Sequence, residues 1–168
     1  GKTKLKRNKI SYLYLDKTYQ KVLESKNNTL VLISVLEHLR EPHKILNFFK
    51  KSKIKYLYIS VPLFSLSALI ENSFKSIFPR HLAGNHTHLY TKESLEFLAK
   101  KYKLKIIGEW WFGQDFPDLY RSLINSSTGN IKKYKPLMDK YLFSNIDELQ
   151  NILDKKKICS QVHMVFKK

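Results

Sequence analysis

Two apolar runs, each leading into a segment of helical period, do most to limit what this chain can fold into. Thr29 to Ser34 reads Thr-Leu-Val-Leu-Ile-Ser, and Tyr56 to Val61 reads Tyr-Leu-Tyr-Ile-Ser-Val before Pro62 stops it. An unbroken run of this kind is expected for a strand buried on both faces of a parallel sheet. Between the two, Pro42 stands where the first turn of a helix tolerates it, and Ile45, Leu46 and Phe49 fall on one apolar stripe. Strands alternating with helices predict an α/β fold, a mostly parallel sheet with helices on both faces.

The remaining segments extend that pattern. Ile10 to Leu15 is rich in strand formers and ends at Asp16, so it predicts an earlier strand. Leu66, Leu69, Ile70, Phe74 and Ile77 keep helical spacing, with Pro79 after them. Thr91 offers an N-cap hydroxyl with Glu93 in the first turn, ahead of Leu95, Leu98, Ala99 and Tyr102 on one face. Lys105 to Trp111 predicts a strand, and Asp115 to Leu123 and Tyr134 to Phe143 predict helices. Asn145 and Glu148 have capping-box spacing before Leu149, Ile152 and Leu153. Gln161 to Phe166 predicts a closing strand. No repeat or low-complexity linker divides the chain, so residues 1–168 read as a single domain.

Composition narrows the partners. The net charge is +17, yet the 31 basic residues are 27 Lys and only Arg7, Arg40, Arg80 and Arg121. Nucleic-acid readers depend on the bidentate guanidinium, so lysines scattered in short runs predict a solvated face more than a binding face. Cys159 is the single cysteine and has no internal disulfide partner, which fits a reducing, cytoplasmic setting. No apolar run nears the roughly 20 residues of a membrane span. The chain does not begin with Met, and Gly1 to Arg7 lacks the apolar stretch of a signal peptide.

In an open α/β sheet, ligands bind outside the carboxyl ends of the strands. That rule points to Asp16, to Ser34-Val35-Leu36-Glu37-His38-Leu39, to Pro62 and to Gly113-Gln114-Asp115. Glu37 and His38 set an acid and an imidazole directly after an apolar strand; a dipole-favoured helix-start carboxylate beside a surface histidine is the plainer account of them. A second cluster is His81-Leu82-Ala83-Gly84-Asn85-His86-Thr87-His88. His86 and His88 are spaced to share a metal, but no acidic or cysteine ligand lies close in sequence, and no metal is expected. The other reading is a polar loop over a substrate pocket, where imidazole exchanges protons near neutral pH. Trp110-Trp111-Phe112 reads either as an aromatic wall or as core.

Several of these stretches resemble class I S-adenosylmethionine-dependent methyltransferases. Val31 to Pro42, with its Leu36-Glu37-His38 and following Pro42, is similar to the motif after the family's fourth strand in its small-molecule branch. Tyr58 to Pro62 resembles the fifth strand, His88-Leu89-Tyr90-Thr91-Lys92-Glu93-Ser94-Leu95 the next helix start, Lys105 to Trp111 the sixth strand, and Gln161 to Lys168 the antiparallel seventh. The resemblance runs from about Ile10 to the end. It implies a Rossmann-like sheet with an antiparallel C-terminal strand, S-adenosyl-L-methionine as cofactor, and methyl transfer to a small-molecule or sugar-like acceptor. It implies that Ser34, Val35, Leu36 and Glu37 line the methionine and methyl end of the cofactor and that Asp16 lies near the adenine. His38, His86 and His88 are then candidates for the acceptor side, one of them as base.

One departure is large. The family's cofactor loop after the first strand is glycine-rich, because the backbone must turn tightly and approach the ligand. The five glycines here are Gly1, Gly84, Gly108, Gly113 and Gly129, and none forms such a loop. The chain therefore reads as the C-terminal part of a methyltransferase domain, with an unpaired sheet edge through which it would self-associate. Two other readings stand beside it. One is a basic nucleic-acid-binding module or a piece of an RNA methyltransferase; the other is a non-catalytic scaffold that keeps the fold without the cofactor site.

Overall fold

A computed structural model of the chain describes residues 15–74, 79–82, 86–126 and 130–168. In chain order the elements are α1 (Leu15–Glu24), β1 (Thr29–Ile33), α2 (Pro42–Lys51), β2 (Tyr56–Pro62), α3 (Leu66–Ser73), α4 (Lys92–Lys101), β3 (Lys105–Phe112), α5 (Asp115–Asn125), α6 (Asn130–Tyr141), α7 (Ile146–Lys155) and β4 (Gln161–Lys167). Short 3-10 turns occupy Leu36–His38 and Phe143–Asn145. The strands form one four-stranded sheet in the order β1-β2-β4-β3. β1 and β2 are parallel, with Leu30 opposite Leu57 and Leu32 opposite Ile59. β4 lies between β2 and β3 and is antiparallel to both, so β1, β2 and β3 share one direction. The mixed α/β class and the reversed closing strand are as the sequence predicts.

Strand period and register divide the side chains between two unlike faces. On one face Leu32, Leu57, Ile59, Val61, Trp111, Val162, Met164 and Phe166 are buried in a single cluster with Ile45, Leu46 and Phe49 of α2 and Leu95, Leu98 and Ala99 of α4. Thr91 caps α4: its hydroxyl accepts from Ser94 N at 3.2 Å while Ser94 Oγ accepts from Thr91 N at 2.8 Å. The other face is open among the described residues. Val31 is 53% exposed, Ile33 57% and Trp110 62%, and of the strand residues on that face only Ser60 and Pro62 are buried.

This corrects two expectations. The Thr29 run is not buried on both faces: β1 is an edge strand among the described residues, pairing with β2 alone, and one side of it meets no helix. The expected second layer of helices is likewise not seen among those residues. The sequence expectation of a strand at Ile10 to Leu15 lies outside the described residues except at its end, where Leu15 and Asp16 open α1 instead. α3 ends at Ser73, so the Phe74 end of the helical stripe falls beyond it, and Ile77 lies outside the described residues.

The capping box at Asn145 is not formed either. The turn Phe143–Asn145 runs straight into α7, so Asn145 has φ −112° and ψ 8° and its side chain makes no cap bond. Its Nδ2 instead donates to Tyr141 O at 3.2 Å. A residue already inside a helical turn has its following N–H groups oriented along that turn, away from its own side chain. No helix among the described residues is long and apolar enough to cross a membrane.

Candidate functional site at the carboxyl edge of the sheet

β1 leaves the sheet through Ser34, which adopts the left-handed conformation at φ 50° and donates its N–H to Ser60 O at 3.1 Å. Non-glycine residues rarely adopt that conformation, and here it turns the chain sharply into the 3-10 turn Leu36–His38. The turn sorts its side chains. Ser34 is exposed and Val35 half-buried. Leu36 is wholly buried and Glu37 is 1% exposed, while His38 faces solvent. Leu36 is thus withdrawn into the core, a placement that the cofactor role implied for it did not foresee. Asp16 is the second residue of α1.

The histidine segment is fastened onto this turn. Thr87 N and His88 N donate to Glu37 O at 2.8 and 3.2 Å. Thr87 Oγ1 lies 2.9 Å from Glu37 O and 3.1 Å from Leu39 O. With its single proton committed to those carbonyls, Thr87 accepts from His88 Nδ1–H at 2.8 Å, which leaves Nε2 as the basic nitrogen of His88. His86 stands edge-on to His38 with ring centroids 4.7 Å apart. His86 Nδ1 lies 3.1 Å from His81 O; a carbonyl only accepts, so here too Nδ1 carries the proton and Nε2 the lone pair. His88 stacks on Tyr90 at 6.2 Å, and burial first, then the charge of Glu37, pushes the Tyr90 phenol well above its ordinary pKa. The structure thus brings Glu37, His38, His86 and His88 together at one edge.

Two residues that sequence reasoning did not single out hold this arrangement. Thr87 is one. The other is Glu71 of α3, which accepts from His81 N at 2.7 Å and Leu82 N at 3.0 Å and pairs with His81 Nδ1 at 2.7 Å. Burial alone would raise the Glu71 pKa, but these bonds outweigh it and hold it below the ordinary 4.5. A depressed carboxylate contributes stability above its unfolded pKa and loses it as pH falls through the folded value. Acidification below about pH 4.5 should therefore release the His81 segment, an acid-side loss of stability that Glu71→Gln removes. Denaturant titrations of both proteins between pH 3 and 6 test this, and equal pH slopes would refute it.

The glycine-glutamine-aspartate stretch after β3 serves as a brace. Asp115 is fully buried, its Oδ1 accepting from Ser65 Oγ at 2.6 Å and from Ser67 N at 2.9 Å. Gln150 Nε2 donates to Oδ2 at 3.3 Å, and Gln150 Oε1 accepts from Phe116 N at 3.1 Å. A Cβ on Gly113 would fall 2.4 Å from Asp115 Oδ2 and 2.8 Å from Ser160 N, so this close approach requires glycine. The aromatic run divides by strand period. Trp111 joins the core, while Trp110 and Phe112 stack at 4.6 Å on the open face beside His163.

No protein-family model and no curated protein matches the sequence. Its fold is similar to that of solved proteins that include methyltransferases. One from Archaeoglobus fulgidus has 15% identity and a TM-score of 0.49, the match covering 90% of this chain and 64% of that one. The small RNA methyltransferase HEN1 has 13% identity and a TM-score of 0.44, covering 84% and 14%. The cyclase SpnF has 12% identity and a TM-score of 0.42, covering 84% and 50%. The chain thus spans less than two thirds of the length of each of these proteins.

Proposed function

We propose that the chain is the C-terminal part of an S-adenosylmethionine-dependent methyltransferase acting on a small-molecule or sugar-like acceptor. One observation carries this reading. The Leu36-Glu37-His38 segment and the His88-Leu89-Tyr90-Thr91 segment, which resemble two separate motifs of that family, are hydrogen-bonded to each other at the carboxyl edge of β1 through Glu37 O. In an open α/β sheet that edge is where a ligand sits.

The donor set fits one end of such a cofactor. Ser34 and Val35 present accessible backbone and side-chain atoms beyond the strand, whereas Leu36 and Glu37 support the turn from beneath. When bound, the cofactor supplies an activated sulfonium methyl group for in-line displacement by the acceptor. The residues of this chain then orient the acceptor and take its proton. His88, with Nδ1–H committed to Thr87, presents Nε2 as the base. His38 and His86 flank the same edge. The predominance of lysine over arginine argues for a small acceptor over RNA.

The test uses the longest natural protein that contains this chain. Conversion of S-adenosylmethionine to S-adenosylhomocysteine is followed with a panel of hydroxylated small molecules and with RNA. His88→Ala should lower kcat by about 10²–10³-fold with little change in cofactor affinity, as expected for loss of a general base. Undiminished turnover in His88→Ala, or turnover with RNA alone, would overturn the respective part of the reading.

A further inference from the structure

We propose that Glu37, His38 and His86 form a binding site for a divalent first-row transition-metal cation, with Zn²⁺ the preferred occupant. Their candidate ligand atoms all lie within 4.8 Å of one another. His38 Nε2 stands 4.0 Å from Glu37 Oε1. Ligands at about 2.0–2.2 Å from a zinc ion are about 3–3.5 Å apart, so shifts of roughly an ångström close the set around a cation. One carboxylate and two imidazoles are a ligand set that zinc takes at sites with an open position. Two imidazole ligands disfavour magnesium, which prefers all-oxygen coordination.

A second observation is independent of that proximity. Glu37 is 1% exposed, and its Oε2 has no hydrogen-bond partner among the described residues. A carboxylate oxygen withdrawn from water and left unpaired is costly, and a cation at this position offsets the cost. The outer groups are arranged accordingly. His86 Nδ1–H is held by His81 O at 3.1 Å, which frees Nε2 for the metal, and His81 is itself held by Glu71 at 2.7 Å. Metal-ligating histidines are oriented in this way by a partner on their other nitrogen. His38 is the exposed member of the set. The ligands differ from the His86 and His88 pair that sequence spacing suggests: Glu37 and His38 come from the 3-10 turn after β1, while His88 is bonded through Nδ1 to Thr87. The site stands or falls independently of whether the chain transfers methyl groups.

The experiment uses the whole chain, stripped with a chelator and titrated with ZnCl₂ and with MgCl₂ against a chromogenic chelator, with metal content read by elemental analysis. One equivalent of zinc should bind, and magnesium should not compete at millimolar levels. His86→Ala should weaken zinc binding by more than the roughly 10–100-fold that loss of an outer partner costs. His38→Ala, a solvent-facing change that leaves the core intact, should do the same, while His43→Ala on α2 should have no effect. Co²⁺ should give the visible bands of nitrogen and oxygen coordination without a thiolate charge-transfer band. Sub-stoichiometric zinc, or a full equivalent retained with unchanged affinity in His86→Ala and His38→Ala, would overturn the assignment.

Discussion

Asp115→Ala should destabilise the protein by about 3 kcal/mol, seen as a lower urea midpoint at unchanged slope. The carboxylate is fully buried and ties three stretches that are far apart in the chain: the β2 exit at Ser65 and Ser67, the start of α5, and Gln150 of α7. Removing it strands a hydroxyl, a backbone N–H and an amide, each costing about 1–3 kcal/mol when buried without a partner. Some of that cost is recovered as Gln150 turns to Asp154 Oδ1, which it already reaches at 2.8 Å. Asp115→Asn, which keeps an acceptor for Ser65, should lose less than half as much. A loss below about 1 kcal/mol for the alanine variant would show that the network is satisfied by other groups or by water.

Titrated with S-adenosylmethionine, the chain alone should bind at least about 100-fold more weakly than the longest natural protein containing it. Its five glycines include none that could form a glycine-rich loop after an early strand. The described edge offers the cofactor Ser34 and Val35, both at one end of the ligand on the proposed reading. Three or four missing hydrogen bonds at about 1 kcal/mol each amount to a factor of roughly 10²–10³ in affinity. Isothermal titration of both proteins under the same conditions measures the difference. A low-micromolar dissociation constant for the chain alone would mean that its own residues complete the cofactor site.

The elements that could be read locally were those whose periodicity is strong and whose boundaries carry a chemical signal. α2 begins at Pro42 and α4 begins after Thr91, each where the sequence predicts, and β2 runs one residue past the expected Val61 to take in Pro62. The site was legible to the extent that strand polarity fixes which residues follow a carboxyl end. Glu37 and His38 could be marked that way. Their contact with His86 could not, since nothing in residues 81–88 says which turn that segment will meet.

Periodicity and the order of elements by themselves determined the α/β class, the shared sense of β1 and β2 and the residues that follow those strands, because these depend on backbone preference, on the alternation of side chains along an element and on the helix that connects the two strands. The tertiary structure alone decided which of those residues are buried and what they touch. Val31 and Leu32 are neighbours of the same apolar character, yet one is 53% exposed and the other 5%, because only one face of β1 meets the α2 and α4 core. Glu37 and His38 are likewise adjacent and polar, but the 3-10 turn sends the carboxylate inward and the imidazole out. Burial, and with it the unpaired oxygen that points to a cation, is a property of packing between elements; a local sequence pattern carries no record of it.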